Sequence, residues 1–328
     1  MFNNEIILVT GGTGSWGHEL VKQLLPLNPK EIRIFSRNES NQFAMKQEFD
    51  HHPKLRFIIG DIKEKHALIN ASQDVDYIFH LAALKHVPVC EEQPIEALKT
   101  NVIGTQNVID AAINGNVKKV IYVSTDKASD PSNFYGLSKA MGEKLIIHAN
   151  TLNTKTRFVC IRGGNVLGTN GSVIHVFKKQ IQDKKKVGIT DLNMTRFFLT
   201  VEDAIKLVFK ATFESIGGEI FVMKMPTCRI VDLAQVLIEA SNIKSVEIEI
   251  LGIRPGEKIH ELLLSEYEST KTVVFDNEYF IILPAIYIKG LKEHYSKFKS
   301  VNIKNYNSST GLMTKEEIKD MLMKGGFI

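Results

Sequence analysis

The sequence predicts an α/β protein built on a doubly wound parallel sheet, with a smaller mixed α/β C-terminal substrate lobe. Three observations predict it. Short β-rich apolar runs alternate with amphipathic helical stretches over the first 162 residues. A glycine-rich turn joins the first run to the first helix pattern. At 328 residues, with 44% hydrophobic and 24% charged side chains, the chain can build a large core and a second lobe.

The run "EIILVT" (5–10) reads as the first strand, and "VTGGTGSWGHEL" (9–20) follows it into the helix pattern "HELVKQLLPL". Glycines at 11, 14 and 17 permit a tight turn and close approach of backbone to a pyrophosphate at the positive helix N-terminus. This is the start of a Rossmann-type dinucleotide site, with Gly11, Thr13, Gly14, Ser15, Trp16 and Gly17 as its cradle. The second strand, "EIRIFS" (31–36), ends in Ser36-Arg37-Asn38, where an acidic residue would hold a ribose 2′-hydroxyl. An arginine there pairs instead with a 2′-phosphate, so NADP is expected, with NAD as the alternative.

The third strand, "LRFIIG" (55–60), leads to Asp61 and Ile62, with Asp61 placed to accept from an adenine amine or to serve as a turn carboxylate. The fourth, "VDYIFHLA" (75–82), ends in Ala82 and Ala83, small enough for a dinucleotide to lie against the backbone, and Lys85 follows within reach of phosphate or substrate. The helix pattern "IGTQNVIDAAINGN" (103–116) stops at Gly-Asn, and the fifth strand is "KKVIYVST" (118–125). After the sixth, "TRFVCIR" (156–162), the alternation breaks. The expected division is therefore 1–162 as the nucleotide-binding domain and 163–328 as mainly the substrate lobe, with 200–222 able to pack back on the first. Thr314 opens a capping box ahead of a last helix.

Net charge is +4 with mixed signs, which argues against a nucleic-acid partner. Cys90, Cys160 and Cys228 are odd in number and lack metal-ligand spacing, so they read as buried thiols in a reducing compartment, and no metal site is proposed. The run Ile6–Val9 is too short for a signal peptide and no apolar stretch is long enough for a membrane span, so a cytoplasmic chain without a membrane partner is expected.

Tyr135 and Lys139 stand one helical turn apart. In that arrangement the lysine lowers the tyrosine, whose anion removes an alcohol proton while hydride leaves the same carbon; Thr125 at the preceding strand end can bond the same hydroxyl. Asp126 and Lys127 exceed what alcohol oxidation requires.

"TGGTGSWG", "AALKHVP", "STDKA" followed by "YGLSK", "MTRFF" and "GIRPGEKIHELL" together resemble the extended short-chain dehydrogenase/reductases. Within them the chain is most similar to the soluble UDP-N-acetylglucosamine 4,6-dehydratases of pseudaminic acid and related 6-deoxy-amino-sugar pathways. The resemblance runs from residue 5 to about residue 320 and implies a homo-oligomer acting on UDP-N-acetylglucosamine or a close UDP-HexNAc. It also implies roles for the extra pair: once C4 is a ketone, Lys127 is the base at C5 and Asp126 the acid for O6. A lysine acting as base must be neutral, so a depressed pKa is expected. Charge and resemblance together offer Arg196 and Arg254 as pyrophosphate clamps, Glu257 as an acceptor for ribose or uracil, and Asn165 as a partner for phosphate or sugar.

The chain departs from the family pattern at Gly163, where a tyrosine is usual, at Thr169-Asn170 for Ser-Arg and at His175 for Pro. Tyr135 resembles the inverting enzymes. The alternatives are a C5-retaining or 5,6-ene-forming dehydratase, a UDP-sugar 4-epimerase with no use for Asp126 and Lys127, and a non-catalytic dinucleotide sensor.

Overall fold

The computed structural model describes residues 1–152, 155–169 and 171–328; the departure at Asn170 lies outside them. Strands β1 (Ile6–Thr10), β2 (Glu31–Ser36), β3 (Leu55–Ile59), β4 (Tyr77–His80), β5 (Lys119–Thr125) and β6 (Arg157–Gly163) pair in parallel in the order β3-β2-β1-β4-β5-β6. β1 is buried along its whole length, as expected of a strand covered by helices on both faces. The strand order reverses between β1 and β4, and a crevice opens there beyond the carboxyl ends of the strands.

The same sheet continues past residue 163. Ile220–Met223 adds a parallel strand beside β6, and Tyr279–Ile282 and Thr272–Val274 close that edge as an antiparallel pair. Helix Val201–Glu214 packs against helix Ser15–Leu24. A second hydrophobic cluster, including Leu167, Phe177, Leu233, Leu237, Ile318 and Leu322, forms apart from the one around the central sheet. Helix Lys315–Lys324 joins it behind a capping box in which Thr314 and Glu317 bond reciprocally. Among the described residues no helix is long and apolar enough to cross a membrane. All three cysteines are free thiols and buried.

Arg162, at the end of β6, ties helix Phe134–Ala149 to the chain around Glu268. Its fully buried guanidinium is bidentate to Glu143 (3.0 and 2.7 Å) and to Glu268 (3.0 and 2.9 Å). Burial favours the neutral form of Glu268, but Arg162 outweighs it and holds the carboxyl at about 2. Removing one partner of such a triad leaves buried charge uncompensated, so Arg162→Leu is expected to cost about 3–5 kcal/mol, read as a lower urea midpoint at unchanged m-value. Because Glu268 lies below its ordinary 4.5 in the folded protein, its contribution is complete above that pH and is lost as pH falls toward 2.

Candidate active site

β5 ends at Thr125, and a 3-10 turn over Asp126–Ala128 follows, the Lys127 amide turned back to donate to the Thr125 hydroxyl. The turn sends Asp126 inward and leaves Lys127 partly exposed toward a cleft. Helix Phe134–Ala149 packs on this turn, capped by Asn133, whose side chain accepts from the Gly136 amide at 2.8 Å. Gly136 permits the approach: a Cβ there would overlap the Lys127 carbonyl. One helical turn apart, Tyr135 and Lys139 both face the same cleft.

The cleft has a volume of about 750 Å³ and runs from the glycine turn to the second hydrophobic cluster. Gly11, Gly14, Ser15, Trp16 and Gly17 line one end, Ala82, Ala83 and Lys85 its flank, and Thr125, Lys127, Tyr135 and Lys139 its middle. Asn165, Arg196, Arg254 and Glu257 line the far part. Thr13, Ser36, Arg37, Asn38, Asp61, Ile62 and Asp126 lie outside this lining. Arg37 reaches Asp61 at 3.7 Å and remains half exposed, while the Asn38 side chain caps helix Glu39–Glu48 and the Ser36 hydroxyl accepts from Gln42. Ile62 is buried against Gly104. The glycine turn fits a dinucleotide. A Cβ on Gly11 would come within 2.8 Å of the Ala82 backbone, one on Gly17 would overlap Gly12, and Gly14 at the N-cap leaves the helix start without a capping side chain.

A row of alternating charge runs beside the cleft, with Lys127 and Arg196 on its lining and Asp126 and Glu261 buried behind them. Lys127 Nζ lies 3.0 Å from Asp126 Oδ1 and 3.2 Å from Glu261 Oε1, and the same Glu261 oxygen lies 3.6 Å from Arg196 Nε. Asp126 Oδ1 also accepts from Thr125 at 2.9 Å. Asp126 Oδ2 is buried with no hydrogen-bond partner and faces Gly164, which lines the cleft.

The electrostatics differ from two expectations drawn from the sequence. Burial would depress Lys127, but the Asp126 and Glu261 carboxylates outweigh it and raise the lysine above its ordinary value. Lys139 does not supply the lowering of Tyr135. Burial brings Lys139 itself down to about 7, and its ammonium donates to the Val123 carbonyl at 2.8 Å above the Tyr122 ring. Burial pushes Tyr135 up to about 12, against the opposing influences of the Lys127 charge and a hydrogen bond with Thr125.

Glu261 escaped the sequence reading although it stands in the quoted "GIRPGEKIHELL". Its charge was visible there; its meeting with Lys127 across 134 positions was not. At Gly163, space beside the backbone is occupied by sulfur: a Cβ would lie 3.1 Å from Met223 Sδ, and the neighbouring Gly164 amide donates to Met225 Sδ at 2.9 Å.

Comparison with known proteins places these features in a wider set. A family model described as "Polysaccharide biosynthesis protein" matches residues 7–283. A UDP-N-acetylglucosamine 4,6-dehydratase (inverting) of Campylobacter jejuni is 46% identical over 290 residues, covering 87% of this chain and 85% of that relative. A UDP-glucose 4-epimerase of Rickettsia bellii is 40% identical over 341 residues, 100% of this chain and 98% of that relative. The X-ray structure of Pen from Bacillus thuringiensis superposes with a TM-score of 0.91 at 38% identity, covering 98% of this chain and 99% of the other.

Proposed function

The chain belongs to the polysaccharide biosynthesis protein family of extended short-chain dehydrogenase/reductases, and from that premise we propose that it is a UDP-N-acetylglucosamine 4,6-dehydratase. Its reaction is C4 oxidation, elimination of water across C5 and C6, and hydride return to C6, giving a UDP-4-keto-6-deoxy-HexNAc, with inversion at C5. The observation that carries this reading is the Asp126–Lys127 pair, in contact at 3.0 Å, with Lys127 lining the same cleft as Tyr135 and Lys139 and Asp126 buried directly behind it. Alcohol oxidation can use the Lys127 charge, which favours ionised Tyr135, but it has no use for an acid at O6 or a base at C5.

Gly11, Thr13, Gly14, Ser15, Trp16 and Gly17 would hold the pyrophosphate of a dinucleotide, Asp61 and Ile62 its adenine end, and Ala82, Ala83 and Lys85 its flank. When bound, the dinucleotide supplies reversible two-electron redox chemistry. Tyr135, hydrogen-bonded to Thr125, takes the proton of the sugar 4-hydroxyl, with Lys139 one helical turn away on the same cleft. Lys127 then accepts the C5 proton while Asp126 gives a proton to O6, which departs as water. An unsatisfied buried oxygen costs about 1–3 kcal/mol, and Asp126 Oδ2, lacking a partner beside the cleft, is the atom we assign to O6.

The resting ion pair and the reactive pair hold the same number of protons. Transfer of one proton from Lys127 to Asp126 across their 3.0 Å contact yields a neutral amine and a carboxylic acid together. The raised lysine is therefore compatible with base chemistry, provided that substrate binding favours the neutral pair.

Arg254, Glu257 and Asn165 are the proposed contacts to the UDP-sugar, with Arg196 deeper in the cleft. The proposed cofactor is NADP. Arg37 is half exposed and only loosely paired with Asp61, so a 2′-phosphate can recruit it. Arg37→Ala is expected to raise the NADP dissociation constant about tenfold or more, equivalent to about 1.4 kcal/mol, and to leave NAD affinity nearly unchanged, as measured by calorimetric titration. We also propose a cytoplasmic homo-oligomer, to be checked by light scattering.

The test is to incubate the protein with UDP-N-acetylglucosamine in D2O and follow the sugar by proton NMR. A new C6 methyl signal with deuterium at C5 supports the dehydratase, and the ring couplings assign C5. The Rickettsia relative, matching the whole chain, favours 4-epimerisation as the second reading. That reaction would change the C4 couplings with neither a methyl signal nor deuterium at C5.

A further inference from the structure

Glu261 belongs to none of the groups assigned above, yet it is 3% exposed and carries charge into the reaction centre. Its backbone is fixed on both sides by Ser308: the Glu261 amide donates to Ser308 Oγ at 2.9 Å and its carbonyl accepts from the Ser308 amide at 2.9 Å. Ser308 Oγ is in turn held by Thr195, next to Arg196. One Glu261 oxygen therefore stands fixed between Lys127 Nζ at 3.2 Å and Arg196 Nε at 3.6 Å.

We infer that Glu261 is the positioning residue for the C5 base: it fixes the Lys127 ammonium at the cleft and receives its charge when the lysine gains the C5 proton. This rests on the dehydratase reading. In the neutral pair, Asp126 holds a proton and Lys127 is an amine, while Glu261 and Arg196 still balance each other. On elimination the C5–H bond breaks, its electron pair forms the C5–C6 double bond, and the C6–O6 bond breaks. The C5 proton goes to Lys127, the Asp126 proton leaves with O6 as water, and the new ammonium forms between two carboxylates rather than against one. Glu261 does no proton transfer itself. It makes proton acceptance by Lys127 more favourable, at the cost of placing the free amine at higher pH.

The groups that face Lys127 are Asp126 on its own turn, Glu261 ahead of strand Leu262–Leu264, Arg196 on strand Thr195–Thr200 and Tyr135 on helix Phe134–Ala149. Of the two carboxylates, only Glu261 lies on a different element from the lysine. An opposite charge at this range moves a pKa by about 1–3 units.

The experiment compares wild type, Glu261→Gln and Glu261→Asp with NADP and UDP-N-acetylglucosamine. It follows product formation against pH, C5 deuterium uptake, and transient 340 nm absorbance as a report on C4 oxidation. For Glu261→Gln the expected result has three parts: the ascending limb of kcat moves down by about one pH unit or more, product formation at its plateau falls on the order of 10²-fold, and the 340 nm transient persists. Glu261→Asp should recover part of the rate and move the limb back toward wild type. A Gln variant with the wild-type limb and rate overturns the inference. So does equal loss of the 340 nm transient, deuterium uptake and product in both variants, which marks a purely structural role. Absence of product from wild type itself overturns the dehydratase reading, and the inference falls with it.

Discussion

Asp126→Asn is expected to stop dehydration while leaving oxidation of the sugar in place. Loss of a general acid costs about 10²–10⁴-fold in rate, so the methyl signal should fall by that factor. Without Asp126 to take it, the Lys127 ammonium proton must go to solvent, so deuterium should still enter recovered substrate at C5, increasingly as pH rises. Lys127→Gln should show the reverse pattern. Product and C5 exchange both disappear, and oxidation slows as well, because the ammonium that favours ionised Tyr135 is gone. The pair of variants separates acid from base on a single turn of chain. Equal deuterium uptake in both would mean that neither residue touches C5 and that the elimination uses other groups.

Tyr135→Phe is expected to act one step earlier and to lose everything downstream. Of the groups nearest the lost phenol, Thr125 is a poor base, and Lys139 is engaged with the Val123 carbonyl. The 340 nm transient should drop by about 10²–10⁴-fold, with product falling in parallel and substrate affinity little changed. The same tyrosine governs the pH dependence. Its pKa stands above the ordinary value, and a base must be ionised to act, so the oxidation rate should climb as pH rises through neutrality. A flat profile from pH 6 to 9 in single-turnover measurements would remove Tyr135 as the rate-setting base.

Much of this was legible before any coordinates. The six strands β1 to β6 lie where the apolar runs put them, because each is a short β-rich apolar segment, mostly buried in all but β3, and local pattern suffices. Strands beyond residue 163 were not, since segments such as Ile220–Met223 and Thr272–Val274 are only three or four residues long and owe their conformation to distant partners. The division of the site followed the same line. Tyr135 and Lys139 are neighbours by helical arithmetic, and Asp126 and Lys127 by adjacency. What failed was the sign of the lysine shift. It depends on Asp126, adjacent in sequence, and on Glu261, brought in by strand Leu262–Leu264 and anchored through Ser308, and no local spacing announces the second meeting.

The strand order also governs how the protein must be made. A ribosome releases β6 well before Ile220–Met223, the strand that covers its outer edge, and at about 5–20 residues per second the nascent sheet waits several seconds with that edge unpaired. Phe158, Val159, Cys160 and Ile161 of β6 are buried in the finished molecule, so during synthesis they form an apolar, hydrogen-bonding template open to other chains. The antiparallel pair ending at Ile282 arrives later still and seals the sheet. Chains stopped between residues 163 and 220 should therefore aggregate on release, and expression of the intact protein should respond to translation rate and chaperone supply more than its folded stability suggests.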